Sequence, residues 1–388
     1  MTRLAIVVSH PIQYYAPLFR EMAGRLDLKV YFAQQVTAAQ QGAAGFGGAF
    51  DWDVDLLSGY DSAFLENVSR RSGPSRFDGA DTPGIGQRLA EGKFDAVLVF
   101  GWYLKSFVQA IRAARRLDLP VMVRGDSQLG PPGVKALAKA AAYPALLRVF
   151  DAALYVGARS RAFYQHYRYP ADRLFHSPHC VDTEWFAARA TADRGHVLRG
   201  RLGIGREDKV VLFAGKLVPF KRPLDVLDAW PLTAARPHVL VAGSGELEEP
   251  LSARAAAVGA PLHRLGFLNQ TEMPAAYAAA DLLVLPSTGR ETWGLVANEA
   301  LACGVPLVVS DAAGCAPDLA GDGVAGRIVP VGDVRALALA IDEVLRSPPA
   351  HGAVAARSRA HSLAAAADGI EAGLAAAVAS RRAKRRDG

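Results

Sequence analysis

The feature that most constrains the fold of this chain is a regular alternation of short apolar runs with helix-patterned stretches. Short apolar runs predict buried strands, and apolar residues spaced three and four apart predict helices between them. Strands and helices that alternate through right-handed crossovers form parallel, doubly wound sheets, so we predict an α/β protein. The predicted strands are RLAIVVSH, LKVYFA, FDAVLVFG, LPVMVRGD and AALYVG, then KVVLFAG, HVLVAG, DLLVLP, VPLVVSD and AGRIVP.

At 388 residues the chain is too long for one compact core, and the alternation occurs in two blocks. We predict an N-terminal domain over residues 1–190 and a C-terminal domain over residues 205–350, each a doubly wound sheet. The stretch Ala187 to Gly205, rich in Arg, Gly and Ala, is the predicted linker. Residues 351–388, an Ala-rich helix with a basic tail, are expected to pack back on the N-terminal domain.

Composition favours a soluble globular protein, with 51% hydrophobic and 21% charged residues. The start, MTRLAIVVSH, has no small-residue cleavage site and predicts a first strand instead of a secretory signal. We find no run of ~20 uncharged apolar residues that would predict a membrane span. Cys180, Cys303 and Cys315 form no C-x-x-C pair, which favours small buried side chains over disulfides or a zinc site. The predicted location is the cytoplasm.

The net charge of +6 is concentrated at the C-terminus. The last eight residues, RRAKRRDG, carry five basic groups and one acid, a net of +4 that leaves +2 for the other 380 residues. This distribution argues against a nucleic-acid partner. The tail fits either peripheral contact with an anionic inner membrane face or a solvated chain end. The stretch VKALAKAAAYPALLRVF, with Lys135, Lys139 and Arg148, fits either a lipid-linked acceptor at that face or a core helix with basic edges.

Residues that follow the apolar runs are the candidate site, because ligands of open α/β sheets bind beyond the carboxyl ends of the strands. After KVVLFAG come Lys216 and Lys221, two ammonium groups able to hold a diphosphate. After HVLVAG, Gly243 and Gly245 permit a close approach of the backbone to a ligand. After DLLVLP, Gly294 precedes a predicted helix whose first N–H groups would face an anion.

The stretch GRETWGLVANEALACG contains two glutamates separated by seven residues, Glu291 in a predicted loop and Glu299 in the following helix. A carboxylate accepts hydrogen bonds from two adjacent hydroxyls, as on a ribose or a sugar ring. Simple exposure to water would also explain Glu291. Glu299 has apolar neighbours along the helix, and a buried carboxylate requires a partner.

In combination these residues resemble the C-terminal half of retaining, nucleotide-sugar-dependent glycosyltransferases of family 4, the glycosyl transferases group 1. The similarity runs from about Val210 to Leu345 and includes both lysines, GSGELEE, GFLNQTEMPAAYAAADLLVLPS, E-x7-E and ALACGVPLVVSDAAGCAPDL. SHPIQYYAPLFREMA and RGDS in the first domain are similar to a subset of the family. The resemblance implies the GT-B fold, two Rossmann-like domains facing a central cleft. It also implies transfer of a hexose-type sugar to a glycan, a lipid-linked glycan or a small-molecule acceptor.

The same resemblance implies a role for each matching position of the C-terminal domain. Glu299 would bind the ribose hydroxyls and Glu291 the hydroxyls of the donor sugar. Lys216, where the family more often has arginine, and Lys221 would hold the diphosphate as catalytic cations. The remaining contacts would come from Gly294, Leu295 and Val296 at the phosphates, and from Gly266, Phe267 and Leu268 near the base.

Three first-domain residues are further candidates. Many relatives carry a histidine near the reacting carbon, where VMVRGDSQL presents Arg124 and Asp126. We expect Arg124 to bind substrate and Asp126 to take part in catalysis, although a turn-capping Asp126 paired with Arg124 would explain the same residues. His10 follows strand one and is expected to contact the acceptor or the donor phosphate, the simpler alternative being a turn histidine. The loops Gln41 to Phe50 and Gly101 to Lys105 are expected to select the acceptor.

The implied chemistry requires neither a metal nor a cofactor, because cations at the leaving phosphate stabilise the transition state directly. DWDVD, Asp51 to Asp55, has the D-x-D spacing that binds a divalent ion in other glycosyltransferases, but its alternation with Trp52 and Val54 predicts an exposed strand. By resemblance, the acceptor attacks from the face that the leaving group departs, with retention of configuration and no protein nucleophile.

Other functions fit parts of the same pattern. A GT-B epimerase or a glycoside phosphorylase would share the nucleotide or phosphate site. An NAD-dependent Rossmann oxidoreductase is suggested by two α/β domains and the lone GSG, although no G-x-G-x-x-G follows strand one. A non-catalytic, two-lobed sugar-binding protein would normally be exported, and the sequence predicts no export signal.

Overall fold

The structure, a computed structural model, describes residues 2–43, 45 and 48–386. The chain forms two compact units. Unit 1 contains the described residues of Met1–Val36, Asp55–His179 and Leu363–Gly388, and unit 2 contains those of Thr37–Val54 and Cys180–Ser362. The division therefore falls eleven residues before the predicted end of the first domain, and residues 37–54 and 351–362 lie in unit 2.

Unit 1 is built on a seven-stranded parallel sheet with the order β3-β2-β1-β4-β5-β6-β7. Leu4 pairs with Leu28 on one side and Ala96 on the other, so the strand order reverses between β1 and β4. The strands are β1 Arg3–Val8, β2 Asp27–Phe32, β3 Asp61–Phe64, β4 Ala96–Val99, β5 Val121–Gly125, β6 Ala152–Tyr155 and β7 Leu174–His176.

The helices of unit 1 cover both faces of this sheet, as doubly wound topology requires. Their apolar stripes supply buried side chains such as Phe19 and Phe107 to the core. The helices are α1 Ala16–Ala23, α3 Ile85–Glu91, α4 Lys105–Arg116, α5 Val134–Leu147, α6 Ala158–His166 and α16 Leu363–Arg386; α2 Ala38–Ala43 belongs to unit 2.

Unit 2 repeats the plan with six parallel strands in the order β10-β9-β8-β11-β12-β13. Val211 pairs with Val239 and with Leu282, so the order reverses between β8 and β11. The strands are β8 Val210–Ala214, β9 His238–Ala242, β10 Leu262–Gly266, β11 Leu282–Leu285, β12 Leu307–Ser310 and β13 Gly326–Val329. The helices are α7 Thr183–Arg189, α8 Ala192–Arg201, α9 Leu224–Ala229, α10 Glu248–Val258, α11 Met273–Ala278, α12 Val296–Ala302, α13 Ala316–Leu319, α14 Val334–Arg346 and α15 His351–Arg359.

The prediction of a linker at Ala187 to Gly205 is wrong. This stretch contains the end of α7 and the whole of α8, both in unit 2. Arg199 of α8 is 9% exposed, donates to the carbonyls of Ala279 at 2.9 Å and Asp208 at 2.9 Å, and pairs with Asp281 at 2.8 Å. Arginine is normally a surface residue. Arg199 is buried here because backbone oxygens and one carboxylate accept hydrogen bonds from its guanidinium, which joins α8 to the rest of unit 2.

The last helix, α16, packs on β6 and β7 of unit 1. Its residues Ala366, Ala367 and Ile370 are fully buried, and Ser177 Oγ donates to the Ala366 carbonyl at 2.9 Å. The segment His351–Ala383 is long and apolar enough to cross a membrane by length and composition alone. A core helix meets the same criterion, and the buried side chains of α16 favour that interpretation.

Candidate functional site

In unit 2 the strand order reverses between β8 and β11, and the residues that follow these two strands come together. Lys221 Nζ forms an ion pair with Glu291 Oε2, and Ser287 Oγ donates to the same oxygen at 3.2 Å. The side chains of Lys221 and Glu291 are only 13% and 12% exposed. The structure thus unites two residues that lie 70 positions apart and were both predicted for the site.

Lys216, which follows β8, is the second cation at this edge. Burial lowers the pKa of its ammonium group, the charge of Lys221 lowers it further, and Glu291 partly opposes both effects. Two ammonium groups and one carboxylate, shielded from water, leave one positive charge in excess. Such a cluster attracts an anion more strongly than exposed lysines would, because the local dielectric screening is weaker.

The loop between β11 and α12 is held rigidly at both sides. Thr288 N donates to the Phe220 carbonyl at 2.8 Å, and Gly314 N donates to the Glu291 carbonyl at 3.0 Å. These bonds join the loop to the turn that carries Lys221 and to the segment after β12. The Glu291 carboxylate is therefore positioned by backbone contacts as well as by its ion pair.

Gly294 is required where this loop enters α12. Its φ of +103° is a conformation that other residues rarely adopt, and a Cβ there would lie 2.6 Å from Leu285 Cδ2. The sharp turn brings Leu295 and Val296, the predicted phosphate contacts, to the start of α12. The first N–H groups of a helix have no partner within it.

Glu299, one turn into α12, has the partner that the sequence required. Tyr277 of α11 donates its phenolic hydrogen to Glu299 Oε2 at 2.6 Å. Burial raises the pKa of the Glu299 carboxyl from its ordinary 4.5 to about 7, and the Tyr277 hydrogen bond opposes that rise. The carboxyl therefore titrates near neutral pH and retains a second oxygen for another hydrogen bond.

Gly243 and Gly266 join the loops that follow β9 and β10. Gly243 N donates to the Gly266 carbonyl at 2.7 Å. A Cβ on Gly243 would lie 1.9 Å from the Gly215 carbonyl, so only glycine permits this approach to the loop that carries Lys216. Phe267 and Leu268 follow at the same edge and are half-buried.

Residues 50–53 lie against these loops within unit 2. The Phe50 ring is 4.4 Å from the Phe267 ring, centroid to centroid. Asp53 accepts a hydrogen bond from Thr271 N at 3.1 Å, and Asn269 Nδ2 donates to the Asp51 carbonyl at 2.7 Å. DWDVD is a loop, so the predicted exposed strand is wrong. The Asp53 carboxylate is used in these protein contacts, and among the described residues no cluster of three potential metal ligands occurs.

Unit 1 carries a different group of residues at its own strand reversal. Ser9 Oγ and His10 Nδ1 lie 2.9 Å apart, and burial lowers the pKa of the His10 imidazole to about 4. Burial first, and the nearby Asp126 charge second, raise the pKa of the Tyr14 phenol. Burial also raises the pKa of the Tyr103 phenol, a hydrogen bond with Ser9 lowers it, and the Asp126 charge raises it. His10 and Asp126 therefore belong to one polar cluster of neutral hydroxyls, an imidazole and a carboxylate.

Arg124 is buried and bonded to other parts of unit 1. Its side chain is 1% exposed and donates to Ser177 Oγ at 2.9 Å and to the Pro178 carbonyl at 2.6 Å. Its guanidinium also lies 5.6 Å from the centroid of the Phe100 ring. These contacts give Arg124 a structural role, because its guanidinium fixes the chain after β7; its binding of substrate stays a prediction.

Sequence reasoning missed the partners of the predicted residues. Tyr277 and Ser287 bind the two glutamates, and Phe50 packs on the predicted base-side residue Phe267. Tyr277 had a signal in the sequence, since a tyrosine inside the apolar stretch EMPAAYAAA must find an acceptor when buried. Ser287 and Phe50 had none, because their contacts depend on tertiary structure.

Comparison with protein families gives a match within unit 2. Residues 197–361 match the family described as glycosyl transferases group 1. D-inositol 3-phosphate glycosyltransferase of Mycobacterium marinum is 38% identical over 172 residues, 42% of this chain and 36% of that protein. Phosphatidyl-myo-inositol mannosyltransferase of Mycobacterium tuberculosis is 36% identical over 169 residues, 42% of each protein.

A third relative is a GDP-mannose-dependent monoacylated alpha-(1-6)-phosphatidylinositol monomannoside mannosyltransferase of Corynebacterium glutamicum. It is 33% identical over 195 residues, which are 48% of this chain and 50% of that protein. The matched region thus spans half or less of the length of these three relatives. The family resemblance predicted from the lysines and E-x7-E is confirmed over residues 197–361.

Solved structures are similar over nearly the whole chain. Anabaena HepE in complex with UDP has a TM-score of 0.73 at 18% identity and covers 97% of this chain and 100% of its own. Sucrose-phosphate synthase of Thermosynechococcus elongatus has a TM-score of 0.70 at 17% identity, with 96% and 98% covered. At such identities the likeness shows the fold, and it confirms the predicted GT-B class of two Rossmann-like α/β units.

Proposed function

From the premise that residues 197–361 form a glycosyl transferases group 1 domain within a GT-B fold, we propose that this protein transfers a hexose from a nucleoside-diphosphate sugar to an acceptor hydroxyl. The observation that carries the proposal is the cluster of Lys216, Lys221 and Glu291, followed along the chain by α12 with its Glu299–Tyr277 pair. The cluster offers positive charge for a diphosphate and two carboxylates for hydroxyls. A nucleotide sugar contains these groups in one molecule.

Each residue has a role that follows from its chemistry. Lys216 and Lys221 stabilise the negative charge that develops on the leaving diphosphate, and the backbone from Gly294 to Val296 contributes N–H donors. Glu291 accepts hydrogen bonds from hydroxyls of the transferred sugar through Oε1, because Lys221 and Ser287 are both bonded to Oε2. Glu299 accepts hydrogen bonds from the ribose hydroxyls.

The transfer proceeds with retention of configuration and without a metal ion. The bond between the anomeric carbon and the diphosphate oxygen breaks while positive charge develops on the sugar. The acceptor oxygen then bonds to that carbon from the same face, and its proton passes to the departing phosphate oxygen. The two lysines stabilise the negative charge on the leaving diphosphate, which in many phosphate-dependent enzymes is done by a divalent cation.

The cluster of His10, Tyr14 and Asp126 in unit 1 supports an acceptor-binding role. The lowered pKa of His10 keeps its imidazole neutral at pH 7, so it is able to accept or donate a hydrogen bond. Neutral hydroxyls and one carboxylate suit a hydroxyl-rich acceptor better than a phosphate. We assign His10 and Asp126 to this acceptor side, together with the loop Gly101 to Lys105, whose Tyr103 interacts with Ser9 and with the Asp126 charge.

A thermal-shift screen against UDP-, GDP- and ADP-sugars tests the proposal directly. One nucleotide class should raise the melting temperature, equivalent to about 2.7 kcal/mol at a concentration one hundred times its Kd. EDTA should leave the shift unchanged. Stabilisation by NAD and by none of the sugars would contradict the proposal. Product analysis with a labelled donor, with and without acceptor, then separates transfer from epimerisation and phosphorolysis.

A further inference from the structure

Helix α5, Val134–Leu147, is an apolar helix that lies largely exposed on unit 1. Val134 is 83% exposed, Leu137 is 72% exposed and Leu146 is 48% exposed. Among the helix residues whose side chains are described, only Leu147 is buried. An exposed helix of a soluble protein normally carries its polar residues outward, and this one does not.

The outward face of α5 can be identified from helical geometry, with about 100° between successive residues. Tyr143 and Leu147 face the protein, and the Tyr143 ring lies 4.9 Å from the Tyr167 ring of the segment after α6. The opposite face is mainly apolar, with Lys135 at one edge of it. Its exposed apolar residues are Val134, Leu137, Ala138, Ala141, Ala142 and Ala145.

The stretch of sequence that contains this face is basic. Residues 127–171, which contain α5 and its neighbour α6, have six Lys and Arg against one acid, Asp151, a net charge of +5. Asp151 is 6% exposed and bonded to Arg115 at 3.0 Å, so it adds little to the surface. The basic side chains that are described as exposed in this region are Lys139, Arg148, Arg161 and Arg168.

We propose that α5 docks this protein on an anionic lipid bilayer. At 14 residues the helix is about 21 Å long, too short to cross a bilayer and suited to lying flat in its surface. The apolar face would enter the lipid boundary, and the lysines and arginines beside it would contact lipid phosphates. A second copy of the chain would bring like charges together, and a nucleic acid would leave the apolar face in water.

Vesicle co-sedimentation tests this inference, and it requires no nucleotide sugar. Wild-type protein should bind vesicles of phosphatidylcholine mixed with phosphatidylglycerol, and should bind phosphatidylcholine alone much more weakly. Leu137→Glu should lower binding at least tenfold, and Lys139→Glu should lower it by several fold, since each basic group near the surface is worth about fivefold. Salt should weaken wild-type binding.

Leu339→Glu is the matched control, because Leu339 is 71% exposed on α14 of unit 2, where Arg335 and Glu343, one turn before and one turn after it, balance in charge. It should bind vesicles like the wild type, with all variants melting at similar temperatures. Equal binding by Leu137→Glu and wild type would overturn the proposal, as would an absence of binding to anionic vesicles at low salt. Light scattering that showed a dimer dissociated by Leu137→Glu would assign the face to self-association instead.

Discussion

The two units reverse their strand order in the same way, yet the residues at the two reversals differ in charge. In unit 2, Lys216, Lys221 and Glu291 form a half-buried ionic cluster. In unit 1, the corresponding cluster contains a neutral imidazole, phenols and one carboxylate, and the nearby charge of Arg124 is enclosed by protein groups at 1% exposure. The comparison teaches that one topology provides a place for a ligand and that the residues after the strands decide its chemistry.

The largest expected effect belongs to the ionic cluster of unit 2. Lys221→Ala should lower the transfer rate by about 10²- to 10³-fold, because one cation at the leaving group is lost, equivalent to about 3–4 kcal/mol of barrier. Steady-state kinetics with a labelled nucleotide sugar measure this. The matched control is Lys29→Ala in unit 1, whose partner Asp61 lies at 2.6 Å with its side chain 61% exposed. That exposed pair should contribute little to stability and nothing to the rate.

Loss of the Lys221 charge also leaves Glu291 without its ion-pair partner in a half-buried position, so lower stability could imitate a catalytic defect. The double variant Lys221→Ala, Glu291→Gln removes that difficulty, because the carboxylate is neutralised as well. It should melt closer to the wild type and remain inactive. Near-normal turnover in either variant would refute the assignment of the cluster to the diphosphate.

The second prediction tests whether Arg124, the buried arginine of unit 1, stabilises the fold or binds substrate. Arg124→Met should lower the free energy of unfolding by about 3 kcal/mol, because charge-assisted hydrogen bonds to the segment after β7 are lost. Urea unfolding measures this, with the exposed Arg112→Met as the control, expected within about 0.5 kcal/mol of wild type. Unchanged stability with lost transfer would show that Arg124 contacts substrate.

The smallest effect concerns the titration of Glu299. With its pKa raised to about 7, donor affinity should weaken by up to about tenfold as the pH falls from 8 to 6, because ribose hydroxyls prefer the ionised carboxylate. Glu299→Gln should bind more weakly with a flat pH profile. Calorimetric titration with the nucleotide identified by the screen measures both. An unchanged pH dependence in the glutamine variant would assign the titration to another group.

The same raised pKa affects folding of the donor-free protein in a defined direction. The folded state binds a proton more tightly than the unfolded state between pH 4.5 and about 7. The contribution of Glu299 to stability is therefore fully present below pH 4.5 and is lost as the pH rises through about 7. A bound nucleotide sugar would offset this loss by supplying hydrogen bonds to the carboxylate.

The strands that were predicted from the sequence and those that were missed differ in burial. All ten predicted strands are present, and most of their residues are fully buried. The missed strands, β3, β7 and β10, are all sheet edges, where one side lacks a neighbour and the side chains are mixed in polarity. An apolar run is therefore a reliable signal for central strands and a weak one for edges.

The site residues show the same division between local and tertiary information. Four site residues could be predicted because they follow strands or are charged residues in an apolar stretch: Lys216, Lys221, Glu291 and Glu299. The structural role of Arg124 on β5 could not, since the sequence does not show that it would contact Ser177, which follows β7 on the other side of β6. The net charge of +2 over the first 380 residues also concealed a local excess, because residues 127–171 alone carry +5.

The chain passes from unit 1 to unit 2 and back more than once, which limits where two related genes could recombine. Unit 2 contains residues 37–54 as well as 180–362, and unit 1 contains α16. A fragment that begins at Cys180 would lack Asp53, the partner of Thr271, and would leave the Phe267 ring uncovered. Gene recombination at a single boundary would therefore join mismatched halves, and a functional chimera must inherit residues 37–54 from the parent that donates unit 2.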